Sequence, residues 1–450
     1  MKKRGKILSF MILLLIFTAF TGCKAKTIES GQITETAERT ISTKELSEKL
    51  GSPEFVVVDV RSEAQYNGWK LEGEVRGGHI RGAVDFPLSW TNDLKKEDLK
   101  DLLESKGITA DKTVVLYDTL GDKSPAMAEI LKGLGYENIL VYEAGMMEWA
   151  GNDTLPMDKL ANYEKLVYPE WINALIKGEN PDTYPGKGYK IFEVSWGEGK
   201  EYKEGHIPGA VHLDTNELEE EPLWNRVSDK DIEKMLLRNG ITYDTTVVLY
   251  GSDTTAAARA ASIMMYAGVE DVRILNGGFG AWTEAGLDIE TEVQSPVPVE
   301  AFGIAVPAHP EYIIDTKEAK EILADENAEL ASVRSWEEYI GETSGYTYIK
   351  PKGRIAGATW AHAGSDPYHM EDYRNVNNTM RNYHEIAKNW EDWDITSDKK
   401  VAFFCGTGWR ASEAFFDAYL MGWDKIAVYD GGWYEWSMDE ANPVETGEPK

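Results

Sequence analysis

Short apolar runs recur along the chain at matching places. Val114 to Tyr117, Val247 to Tyr250 and Val401 to Phe404 are rich in β-branched and aromatic side chains and show no polar alternation. Runs of this kind suit parallel strands buried on both faces. After the third run comes Cys405-Gly-Thr-Gly-Trp-Arg410 and then ASEAFFDAYLM, in which Ala411, Ala414, Phe415, Ala418 and Met421 fall on one helical face before Gly422. That periodicity predicts a helix stopped by glycine. KIAVYDGG then supplies another strand. Strand, tight loop, helix, strand is a βαβ unit. Upstream, Ser42-Thr-Lys-Glu45 has the spacing of a capping box that opens a helix before the strand FVVVDV.

The pattern occurs three times. FVVVDVRSEAQY (55–66), GGHIRGAVDFP (77–87), TVVLYD (113–118) and EAGMMEW (143–149) form the first copy. IFEVSWGEGKEY (191–202), EGHIPGAVHL (204–213), TVVLYG (246–251) and NGGFGAW (276–282) form the second. LASVRSWEEY (330–339), KGRIAGATW (352–360), KVAFFC (400–405) and DGGWYEW (430–436) form the third. The interval is 31 positions from Asp118 to Trp149, from Gly251 to Trp282 and from Cys405 to Trp436. Equal spacing implies one helix and one strand in a common register. The expected architecture is α/β: three tandem doubly wound domains, at 41–160, 165–290 and 308–447, each with a mainly parallel sheet flanked by helices. The connections fall at 152–165 and in the Pro-rich 291–310.

The chain of 450 residues suits about three domains. Its N-terminus has a different character. Lys2, Lys3 and Arg4 precede an apolar run from Ile7 to Phe20, closed by Gly22-Cys23. The run is short for a membrane span and reads as an export signal over 1–23. Its ending resembles a bacterial lipobox, which implies lipidation at Cys23 and a polar tether over 24–40. The expected location is therefore exported, lipid-anchored to the cell membrane or periplasmic.

Acidic residues number 77 against 47 basic, a net charge of −30. That surface excludes nucleic acid as a partner and leaves membrane contact to the lipid anchor alone. An anionic ligand would need local positive potential against this field. The only cysteines are Cys23 and Cys405, so no disulfide framework exists. No metal is expected: the spacing of His362, His369 and His384 fits no closed site.

Chemistry concentrates at Cys405. It ends a strand and precedes a helix, the place where open α/β sheets bind ligands. A loop wrapped around a cysteine at a helix N-terminus converges backbone N–H groups and positive dipole on the sulfur. Gly406 and Gly408 permit a tight, left-handed backbone, and Arg410 adds a cation.

The DVR and GHIPGA signatures and the Cys405–Arg410 loop resemble the rhodanese superfamily, most nearly its three-domain exported thiosulfate sulfurtransferases. The resemblance spans about 400 residues. It implies Cys405 as the sulfur carrier, cradled by Gly406, Thr407, Gly408, Trp409 and Arg410, with Arg334 facing substrate. Ser332 and Arg354 depart from the family pattern, where Asp and His are usual. The six-residue loop favours sulfur chemistry; phosphatases of this fold use one residue more. The implied reaction moves sulfane sulfur from thiosulfate, a small anionic donor, to cyanide or a thiol through a Cys405 persulfide, without a cofactor. Alternatives are 3-mercaptopyruvate as donor, or a persulfide relay with little turnover.

Asp118 and Gly251 occupy the cysteine position in the first two copies, so those domains are expected to be scaffolds, with the Asp118 carboxylate imitating a bound anion. The third copy is longer: 51 positions separate Arg354 from Cys405, against 39 from His79 to Asp118 and 45 from His206 to Gly251. The excess lies in 359–386, read either as a lid or wall over Cys405 or as a packed surface loop.

Overall fold

The computed structural model describes residues 39–449 apart from Asp93. The export signal, Cys23 and nearly all of the tether lie outside the described residues. Among the described residues no helix is long and apolar enough to cross a membrane.

Each copy forms a parallel sheet. The third aligns Ile313–Ile314, Ile426–Tyr429, Lys400–Phe404, Ala328–Ser332 and Thr359–Trp360, in that order. The second repeats the order with Leu166–Val167, Asp271–Leu275, Thr246–Tyr250, Tyr189–Ser195 and Val211–Asp214. The first keeps Val84–Asp85, Phe55–Asp59, Thr113–Tyr117 and Ile139–Val141, and Thr40 reaches Val141 by a single parallel bridge. The capping box at Ser42 and Glu45 is present. Apolar runs without alternation are explained by burial on both faces. Val401 and Phe403 enter one core while Ala402 and Phe404 enter another on the opposite face.

The 31-residue interval also has a physical cause. Trp149, Trp282 and Trp436 are buried, and each indole N–H donates to a carbonyl six or seven residues on, that of Pro156, Asp288 or Pro443. Each tryptophan's helix begins at a left-handed glycine, Gly145, Gly278 or Gly432. A Cβ there would meet a carbonyl oxygen of the cysteine-position loop at 2.6 Å or less. The helix therefore seats directly on that loop in every copy.

Domains two and three share one core. The helix Thr254–Ala267 is buried from Thr255 onward, and its alanines let it lie against Trp409–Leu420 of the third domain. Ser262 Oγ and Ser412 Oγ meet at 3.0 Å in this contact. The first domain keeps two cores of its own, sends Leu160 into the shared core and Trp69 against the second domain, and docks further through polar groups. Asn382 Nδ2 donates to Tyr66 OH at 2.9 Å, and Lys106 Nζ to Glu385 at 2.9 Å. The Pro-rich segment straps the second domain, with bonds from Gln294 N to Tyr202 OH and from His309 N to the Tyr266 carbonyl.

Candidate active site

Cys405 follows the strand Lys400–Phe404 and is fully buried. Its Sγ accepts from Gly408 N at 3.2 Å. Gly408 has φ +112° and caps the helix Trp409–Leu420, so the loop folds back over the sulfur. Gly406 differs from expectation. It is not left-handed; a Cβ there would lie 2.7 Å from the Tyr346 ring, so it is needed for close approach. Trp433 N and Tyr434 N donate to the carbonyls of Cys405 and Gly406, fixing the loop from the far side.

Arg410 and Arg334 are both buried beside this loop. Glu338 joins them. Arg410 Nη1 and Nη2 grip its carboxylate at 2.8 and 3.0 Å, and Arg334 Nε reaches it at 3.3 Å. Burial works against the Glu338 charge, yet Arg410 and then Arg334 hold its carboxyl down to about 2. Burial lowers Arg334 below the ordinary guanidinium range; Glu338 opposes this and Arg410 adds to it. Two guanidiniums share one carboxylate, so the cluster keeps one net positive charge against the acidic surface. Arg334 Nη2 and Arg410 Nε are buried donors without a protein acceptor. Nothing in the sequence marks Glu338 beyond its place in the capping box of Ser335.

Comparison of the copies explains Ser332. In the first domain the equivalent Asp59 binds Arg61 at 2.7 Å and accepts from Tyr117 OH. Ser332 and Phe404 replace this acid and phenol, and the Ser332 hydroxyl has no partner. Arg334 keeps the bond to its glycine carbonyl, Gly353 here as Gly78 is for Arg61, but its Nε turns from the strand acid to Glu338. Arg354 likewise replaces His79 and pairs with Glu445 at 3.0 Å.

Trp409 ties the loop to the second domain. Its indole N–H donates to Glu219 of the second domain at 2.6 Å. Glu219 also holds Arg259 at 3.1 Å, and Arg259 pairs with Asp430 at 2.7 Å. Burial raises Glu219 to about 7 against the pull of Arg259. Arg259 Nη1 lies where a Gly408 Cβ would come within 3.0 Å. The cysteine-free second domain therefore braces the back of the Cys405 loop.

Thr407 lies by the Tyr348 hydroxyl, which burial raises to about 12. Tyr348 stacks on Tyr346 at 5.4 Å and lies edge-on to Tyr434; Tyr368 lies edge-on to Tyr346. Tyr346 OH donates to the Pro367 carbonyl. The insertion thus has two parts. Its Pro367-Tyr368 segment joins the tyrosines over the loop. Further on, Arg374 binds Glu413 and Asp253, and Thr379 and Asn377 bind Glu63, filling the junction of the three domains.

Asp118 shows what the cradle holds in the first copy. Its carboxylate accepts from the amides of Leu120, Gly121, Lys123 and Ser124 and from the Ser124 hydroxyl. Burial disfavours this charge, but those donors outweigh it and keep the carboxyl below its usual range. The same loop geometry is anion-binding by construction.

A parallel sheet with such a loop at a strand end defines a sulfur-handling α/β class, and the chain belongs to the rhodanese family. The family model, "Rhodanese-like domain", matches residues 42–152, 169–285 and 315–439. Among similar proteins, "Thiosulfate sulfurtransferase YnjE" of Escherichia coli is 45% identical over 392 residues, covering 87% of this chain and 89% of that one. The anaerobic ergothioneine biosynthesis enzyme of Chlorobium limicola, solved with its natural substrate trimethyl histidine, superposes with TM-score 0.89 at 45% identity, covering 92% of this chain and 100% of that one. A structure of EanB with ergothioneine covalently linked to a cysteine persulfide matches at TM-score 0.89 and 46% identity, with the same coverage. The chain is a sulfurtransferase-family enzyme of three rhodanese domains.

Proposed function

We propose that Cys405 carries sulfane sulfur as a persulfide, with thiosulfate as donor. The observation that carries this reading is the Arg334–Glu338–Arg410 cluster beside a buried cysteine, with one net positive charge and two unpartnered donors. The Cys405 thiolate attacks the outer sulfur of thiosulfate. The donor's S–S bond breaks, and sulfite departs with the electron pair toward the guanidiniums and the loop amides. An acceptor nucleophile, cyanide or a thiol, then attacks the outer persulfide sulfur and returns Cys405 as thiolate. The similar thiosulfate sulfurtransferase supports the donor.

One observation favours a second acceptor. Tyr346, Tyr348, Tyr368 and Tyr434 gather over the loop, and aromatic clusters suit quaternary ammonium groups. A trimethylated histidine, the substrate of a similar enzyme, is the acceptor this cluster would take.

The test is sulfur transfer from thiosulfate, with cyanide, a thiol or trimethylhistidine as acceptor and mercaptopyruvate as the rival donor. Turnover with thiosulfate that vanishes in Cys405→Ser is expected. Activity surviving that substitution would move the chemistry to another residue. Lipid anchoring at Cys23 belongs to the same proposal; mature protein without an N-terminal acyl group would refute it.

A further inference from the structure

A second cluster of donors lies where the first domain meets the insertion of the third. His79, Asp158 and His384 each bring one ligand atom to a common place, all within 4.8 Å of one another. His79 and Asp158 are cross-strand partners in the first domain. His384 comes from the first turn of the helix Tyr383–Glu391, which closes the insertion of the third.

His79 is oriented as metal-bound histidines are. Its Nδ1 lies 2.8 Å from the Tyr66 carbonyl. A carbonyl can only accept, so Nδ1 carries the proton and Nε2 the lone pair. The ring stacks on Tyr66 at 3.7 Å and is fully buried. Its Nε2 has no hydrogen-bond partner. The Asp158 carboxylate supplies negative charge, although Arg81 takes Oδ1 at 2.9 Å. Asn382 pins the histidine helix by bonding Tyr66 OH and Asp85 in the first domain and accepting from His384 N.

The other copies serve as internal comparisons. In the second, His206 keeps the bond to a carbonyl and the unpartnered Nε2, and Glu290 stands 3.8 Å away, but no third donor of this kind joins them among the described residues. In the third, the seat is filled by the Arg354 guanidinium against Glu445. A cation against an acid is thus already the arrangement in one copy.

We propose that His79, Asp158 and His384 bind a divalent transition-metal ion, zinc above all, which clasps the first domain to the third. Two imidazoles and a carboxylate are a borderline-soft donor set suited to zinc, with water completing the coordination. Bonds of about 2.0–2.1 Å require ligand atoms closer than the present spread. His384 is exposed and can turn inward to close it.

The test uses the full chain, stripped with a chelator and titrated with cobalt(II) and zinc(II). Uptake of one ion per chain is expected, with an N/O-ligand cobalt spectrum and a thermal midpoint that climbs with zinc. His384→Ala, on the surface, should fold normally, weaken binding by about 100-fold or more and lose the thermal response. His369→Ala, outside the cluster, should change neither. Absence of uptake, uptake unaltered in His384→Ala, or a thiolate-to-cobalt band would each overturn the proposal. None of these readouts depends on sulfur transfer.

Discussion

Glu338 is the residue on which the charge balance at Cys405 turns. Two buried guanidiniums flank it, and removing its charge leaves them facing each other without an anion. Glu338→Gln should cost about 3–5 kcal/mol of stability at neutral pH. The pH dependence has a definite sign. Folding lowers the Glu338 carboxyl from its ordinary 4.5 to about 2, so the stabilisation is complete above 4.5 and fades as pH falls toward 2. Urea midpoints of parent and variant should therefore converge through that window; a gap that stays constant would show that the carboxylate charge is not what holds the cluster. A motif of fixed spacing marks Cys405, Gly408 and Arg410 in the sequence, and folding brings them together. The motif does not mark Glu338 or Arg259, which reach the loop only through folding. Arg334 was legible as a position, but its pairing with Glu338 goes with Ser332 and Phe404 together replacing an acid and a phenol. The indole of Trp409 points to Glu219, a contact between domains that spacing cannot encode.

Between elements, the decisive contact is the helix Thr254–Ala267 against Trp409–Leu420. The second helix begins at the Cys405 loop, so pressure on their contact reaches the sulfur. Ser262→Leu inserts bulk where two serines meet at 3.0 Å. It should destabilise the protein by about 1–3 kcal/mol. Turnover measured well below the unfolding transition should also fall, although residue 262 belongs to a domain without the cysteine. Full activity with lowered stability would reduce the second domain to a passive support. The strands and the βαβ order were legible because each is written three times in equal register; the glycine-led tryptophan helices emerged only in the structure. The divided role of 359–386 was not: its length marked an insertion, but only packing shows Tyr368 over the loop and Thr379 among three domains.

For the molecule as a whole, a net charge of −30 surrounds a site with local positive charge. A thiosulfate dianion, the proposed donor, would approach against that field and bind where the field reverses. Salt screens the long-range repulsion, while the buried guanidiniums are shielded from it. kcat/KM for thiosulfate should accordingly rise between low and physiological ionic strength in an inert salt. A fall would mean that exposed cations, not the buried pair, govern capture. The repeated fold also assigns work to the silent copies. The first shows the cradle occupied by a built-in carboxylate, and the second lends Arg259 and Glu219 to the active loop.

The central claim is that sulfur rests on Cys405. Mass spectrometry of the full chain after brief exposure to thiosulfate, without an acceptor, tests it most directly. A gain of one sulfur atom is expected on the peptide containing Cys405, discharged when cyanide is added and absent from Cys405→Ser. An unmodified Cys405 under conditions where the enzyme turns over would contradict it.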